Sequence, residues 1–213
     1  MPKFSVEELL DTMQVMFPHA KAELNHTNPY ELTVAVILSA QATDVSVNLV
    51  TPALFKHYPT VYDLAKADLQ QLQEIIKTIG LYRNKAKSLI AMANKVVTNF
   101  YGEIPRKRVD LLTLDGVGQK TANVIVSVAY HIPAIAVDTH VSRVSKRLML
   151  VKESDDVLQI EQKLKRKIKR DRWSPAHHLM IFFGRYHCKA INPKCETCPF
   201  THQCRYYKQK RSN

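Results

Sequence analysis

The stretch Leu114–Val126, LDGVGQKTANVIV, sets two glycines in a short turn and then begins an apolar segment with Lys120 in its first turn. A helix N-terminus already carries partial positive charge from unpaired amides and the macrodipole, so a cation there works against local electrostatics. Either it is solvated or its chemistry gains from the place. Two phosphate motifs fail here. A P-loop requires Gly-Lys-[Ser/Thr], but Gln119 separates Gly118 from Lys120. A dinucleotide fingerprint requires a third glycine where Thr121 stands and an acidic ribose partner in a following strand. A hairpin between two helices fits: 109–114, a turn at 115–118, then 119–130. In it the glycines permit positive φ, and Gly116, Val117 and Gly118 offer backbone N–H groups to a nucleic-acid phosphate without reading sequence. An ordinary connection between helices is the plain alternative.

Composition agrees with a polyanionic partner. The 213 residues carry 31 Lys and Arg against 19 Asp and Glu, a formal charge of +12, which points first to nucleic acid. An anionic membrane surface is the other candidate, but the longest apolar stretch, Leu32 to Ala40, falls far short of the roughly 20 residues a span needs. The N-terminus mixes acids into its apolar residues and has no h-region, so no membrane association and a cytoplasmic, intracellular location are expected.

Only 5 glycines in 213 residues argue against the many tight turns of an all-β chain, and helix signals dominate. Ser5 with Glu8 reads as a capping box, and Thr60 as the cap of a helix running toward Lys77, with Gly80 as its stop. Further helices are expected over 83–100, 138–148, 155–169 and 175–183, the last opened by Ser174 and Pro175. The run LTVAVILSA allows a buried strand or a fully buried helix; its length and the polar residues after it favour the helix. The expected fold is all-α with two helical lobes. One covers 22–132 and contains the hairpin; the other joins 1–21 to 133–213.

Asp138 follows the apolar IPAIAV at an expected helix start. A lone carboxylate there is usually an N-cap. Paired with a lysine it does more: the amine attacks a sugar anomeric carbon while the carboxylate stabilises oxocarbenium-like charge or manages protons. An amine is nucleophilic only when unprotonated, and partial burial together with the positive helix end would favour that form at Lys120. All 4 cysteines, Cys188, Cys195, Cys198 and Cys204, lie in a C-x6-C-x2-C-x5-C pattern. Four thiolates so close need positive charge, and spacing physics leaves both zinc and an iron–sulfur cluster open.

The hairpin, Lys120 and Asp138 resemble the helix-hairpin-helix DNA glycosylase superfamily, and within it the endonuclease III family. The likeness runs through LSAQATDVSVN, TIGLYRNKA and GVGQKTANV to the cysteines. It departs at Asp115, where that family more often has proline, and at Gln119, where arginine is common; an acid in a phosphate-facing turn lowers the loop's expected affinity. The resemblance implies a base-excision repair enzyme, a bifunctional glycosylase and AP lyase acting on double-stranded DNA with damaged, oxidised pyrimidines or abasic sites, and working as a monomer. It implies a C-terminal loop, 188–204, holding a structural [4Fe-4S] cluster on the four cysteines. It also implies that Gln41 and Leu81 enter the duplex to fill the void left by a flipped nucleotide. Gln41 could otherwise end a helix, Leu81 could belong to a core, and His140 touches phosphate or merely belongs to its helix. The basic run 163–172 reads as a solvated helix face. Related adenine glycosylases share hairpin, aspartate and cluster but typically lack the lysine and carry a further C-terminal domain, for which the residues after Cys204 leave little room. A non-enzymatic DNA-binding module would need no Lys120 and Asp138 together.

Overall fold

The computed structural model describes residues 4–212, with side chains described through 210. Among the described residues all regular structure is helical. The α-helices are α1 (Val6–Met16), α2 (Pro29–Leu38), α3 (Asp44–His57), α4 (Val61–Ala65), α5 (Leu69–Ile76), α6 (Tyr82–Phe100), α7 (Arg108–Leu111), α8 (Gln119–Tyr130), α9 (Thr139–Arg147), α10 (Val157–Lys167), α11 (Trp173–Phe182) and α12 (Arg205–Ser212). None is long and apolar enough to cross a membrane. The chain divides into two compact units, 23–132 and 1–22 with 133–213.

In the first unit, α2 is LTVAVIL resolved as a helix. Asn28 accepts from Glu31 N–H as its cap, Pro29 presets the first turn, and Leu32 through Leu38 are all buried. α2 packs against α3, α6 and α8, and α6 against α4 and α5. The segment after Thr60 is two helices rather than one. The Thr60–Asp63 capping box opens α4, which ends at Ala65, and Asp68 caps a new start by accepting from Gln71 N–H at 2.8 Å. α5 stops at Ile76, so Gly80 belongs to the turn into α6 instead of closing a helix.

In the second unit the capping box of Ser5 and Glu8 opens α1, as its spacing predicts. Leu9, Leu10 and Met13 of α1 are buried with Val141, Val144, Ile160, Leu164, Leu179, Met180, Phe183 and Phe200. Arg172 fixes α1 from outside this core by pairing with Glu7 and, at 2.8 Å, with Asp11. α11 starts at Trp173, earlier than Ser174-Pro175 suggested, because a 3-10 turn over Arg170–Arg172 feeds into it. Pro175 is tolerated inside the first turn, where its missing N–H removes no helical bond. The basic run around α10 is not merely solvated: Lys163 lies 2.6 Å from the buried Asp155, and Lys165 2.5 Å from the buried Glu161.

Candidate active site

The hairpin joins α7 to α8, with Leu111, Leu114 and Val117 buried beneath it. Gly116 has φ +77°, and a Cβ there would lie 3.2 Å from both Ile37 Cγ2 and Ser88 Cβ, so conformation and space both require glycine. Gly118 differs from expectation. Its φ of −92° and ψ of −177° are ordinary extended backbone, and a Cβ would meet nothing within 4 Å. Its use is open space at the start of α8, whose N-terminus no side chain caps.

Both departures from the family pattern have local partners. Asp115 is met by Lys95 Nζ at 3.3 Å, which also donates to Thr113 O at 2.6 Å. Gln119 accepts from Arg108, whose Nε also donates to Asn123 Oδ1 at 2.7 Å. A phosphate approaching the turn therefore meets an acid whose charge is already offset. Lys95→Ala should weaken binding to undamaged duplex by up to about fivefold, within the range of an exposed ion pair, and Asp115→Asn in that background should recover most of the loss. Titrations across salt concentration check this; no recovery would show that Lys95 acts for itself.

Lys120 is the second residue of α8 and is exposed, so this chain does not supply the partial burial expected of it. Asp138 is an N-cap in fact: its Oδ1 accepts from Val141 N–H at 2.8 Å, at the start of α9. The cap engages one of the two carboxylate oxygens. Capping and chemistry are therefore compatible in one carboxylate. Lys120 belongs to the 23–132 unit and Asp138 to the other.

His140, the second residue of α9, is half-buried, and burial holds its imidazole below the usual histidine range. Arg143 donates to His140 Nδ1 at 3.1 Å, to Gly184 O at 2.7 Å and to Cys188 O at 3.1 Å. A Cβ on Gly184 would lie 2.9 Å from His140 Cβ. Gly184 sits in a π-helical turn, Phe183–His187, that ends at Cys188, a local widening of the kind found near functional sites. The one guanidinium thus links His140 to the cysteine loop.

Gln41 and Leu81 come together in the other unit. Each is a non-glycine residue in the left-handed region, at φ 55° and 60°, and a Cβ on Gly80 would lie 3.7 Å from Gln41 O. Leu81 is 58% exposed, which removes it from the core.

The four cysteines are free and line one pocket, together with Phe183, His187 and Tyr206. Burial pushes the Cys198 thiol up to about 11 and raises that of Cys204, opposed by backbone N–H groups of Phe200 at Cys198 and of Tyr206 and Tyr207 at Cys204. Arg147 NH1 donates to Cys188 Sγ at 3.4 Å. Desolvated sulfurs facing one space, with hydrogen-bond donors aimed at them, suit a polynuclear centre whose cations offset the thiolate charge. Among the described residues no three Cys, His, Asp or Glu side chains converge on a point that a single ion would occupy.

A cleft of about 700 Å³ beside α9 is lined by Arg143, Lys146, Arg147 and Arg205. Arg205 pairs with Glu153 at 2.8 Å, and Arg147 stacks over the Tyr206 ring at 3.9 Å. Sequence reasoning missed Arg143, Lys146 and Arg147. Their only signal is spacing: 140, 143, 146 and 147 share a face of α9.

Comparison with known proteins follows the same lines. Residues 34–170 match the model of the HhH-GPD superfamily of base excision DNA repair proteins, and 188–204 match the iron-sulfur binding domain of endonuclease III. Endonuclease III of Bacillus subtilis (strain 168) is 54% identical over 200 residues, covering 94% of this chain and 91% of that protein. A solved structure of a trapped endonuclease III–DNA covalent intermediate, an estranged-adenine complex, has 51% identity and a TM-score of 0.94, covering 98% of this chain and 97% of the other. A non-covalent endonuclease III–DNA complex has 50% identity and a TM-score of 0.95, with the same coverage. These matches join the hairpin and the cysteine loop in a single lineage: the chain belongs to the HhH-GPD superfamily of base excision DNA repair proteins, as an iron–sulfur member of the endonuclease III family.

Proposed function

We infer that this chain is an intracellular bifunctional DNA glycosylase and AP lyase that removes oxidised pyrimidines from double-stranded DNA, working as a monomer with a [4Fe-4S] cluster on Cys188, Cys195, Cys198 and Cys204. The observation that carries the reading is Lys120, exposed in the first turn of a helix that no side chain caps, just beyond a glycine turn suited to phosphate. The amides of the turn at 116–118 and the cations beside α9 hold the backbone, His140 among the phosphate contacts. Gln41 and Leu81 fill the space left by the flipped nucleotide.

The unprotonated Lys120 amine attacks C1′, the C1′–N bond to the base breaks, and the base leaves with a proton. Loss of an amine proton and opening of the sugar ring yield a Schiff base. Removal of a C2′ proton then expels the 3′ phosphate by β-elimination, and water hydrolyses the imine to free the lysine. Asp138 stabilises positive charge on the sugar as the base departs. When bound, the cluster supplies cationic charge to four thiolates and cross-links the loop that carries them.

Asp138→Asn separates the two roles of this residue. Asparagine caps a helix as well as aspartate, so folding stability should change by less than about 0.5 kcal/mol. Base release should fall about 10²- to 10⁴-fold, as for loss of a charged catalytic group, while cleavage of a preformed abasic site falls much less. Single-turnover assays on a panel of damaged-base duplexes and on abasic duplex test this together with the substrate range. Equal losses on both substrates would remove Asp138 from base departure, and absence of nicking in the unaltered protein would leave a DNA-binding module.

A further inference from the structure

Lys85 is buried, at 7% exposure, and among the described residues no carboxylate pairs with it. Burial pushes its ammonium below the usual lysine range. An unpaired buried cation is costly and needs compensating hydrogen bonds. Lys85 finds them on another helix: its Nζ donates to Leu38 O at 2.8 Å and Ala40 O at 2.6 Å, at the C-terminal end of α2. It stands in the first turn of α6, where a cation disfavours its own helix, but its charge rests on carbonyls at a helix end that favours cations.

The two places it joins are the turns that carry Gln41 and Leu81. On one side, the carbonyls it holds immediately precede Gln41 in its left-handed turn, closed by Ala42 N–H donating to Ser39 O at 3.1 Å. On the other, the Lys85 backbone N–H donates to Leu81 O at 3.1 Å. Both exposed side chains thus stand on left-handed residues whose turns abut at Gly80 and are joined through one lysine, by its ammonium on the Gln41 side and by its backbone N–H on the Leu81 side.

We propose that Lys85 is a positioning residue for duplex entry: by tying the end of α2 to the first turn of α6, it presents Gln41 and Leu81 as one rigid pair. The proposal rests on the reading that those two side chains enter the duplex. A side chain held only by its own turn would lose ordering entropy on each encounter with DNA, whereas a pre-organised pair does not.

The test uses the full-length protein with Lys85→Met and Lys85→Gln. Each is titrated onto undamaged duplex and onto the same duplex bearing a tetrahydrofuran abasic analogue opposite 2-aminopurine, and each is melted in parallel. Lys85→Met should bind the lesion duplex about tenfold or more weaker and lose the 2-aminopurine fluorescence gain, with undamaged binding within about twofold. Lys85→Gln, which keeps a neutral donor, should fall between Met and the unaltered protein, and it decides the matter if Lys85→Met does not fold. In a Leu81→Ala background Lys85→Met should add little, because both act through the same contact. Equal losses on the two duplexes that track a falling Tm, or losses that simply add to those of Leu81→Ala, overturn the proposal. Failure of the underlying reading looks different: Leu81→Ala and Gln41→Ala would themselves retain full discrimination of the lesion.

Discussion

Lys120→Ala should abolish strand cleavage and covalent trapping, with loss of about 10⁴-fold or more in single-turnover cleavage, as for removal of a nucleophile. Borohydride added during reaction with abasic duplex should trap the unaltered protein, and the adducted peptide should contain Lys120. The substitution is clean because Lys120 is exposed and alanine is the best helix former, so stability should stay within about 0.5 kcal/mol. Binding to the abasic site should persist. Undiminished trapping in Lys120→Ala would identify another amine as the nucleophile.

Cys198→Ser should cost the protein its iron and roughly 3–5 kcal/mol of stability, the scale of losing a structural cross-link, which for this length is a Tm fall of about 6–20 °C. The site explains the size. Cys198 faces a pocket shared with the fully buried Phe183, and without cationic charge burial holds its thiol protonated. The loop then loses the centre its four cysteines would hold, and Arg143 and Arg147 lose fixed acceptors at Cys188, Lys189 and Ala190. Affinity for DNA should fall with it. Iron and sulfide analysis of the unaltered protein is the companion measurement: stoichiometric zinc without iron or sulfide would overturn the cluster, and a metal-free Cys198→Ser protein that keeps fold and binding would overturn its structural role.

Local chemistry was the legible part of this chain. The Ser5–Glu8 box, the Asp138 cap, the hairpin spacing and the burial of LTVAVIL all depend on residues within a turn or two of one another. The misreadings have the same origin. A helix through 60–77 failed because Asp68 caps a second start within it, and Ser174 lost its cap role to a preceding 3-10 turn. Gly118 was assigned a positive φ that only Gly116 adopts, since a sequence shows that glycine is present but not which freedom it uses. Lys85 and Arg143 stayed hidden for another reason: their partners lie 41 to 47 residues away and are backbone carbonyls, which carry no sequence signature.

The placement of α1 has a consequence for how the chain is made. The buried core that covers its face, Leu9, Leu10 and Met13, comes from segments from 135 onward. During synthesis the contiguous 23–132 unit can fold as soon as it emerges, whereas the first helix must wait with an apolar stripe uncovered. At roughly 5–20 residues per second, the stretch from 133 to the last cysteine alone takes about 4–14 s. For that interval the nascent N-terminus is a ready substrate for chaperones or for association with other chains.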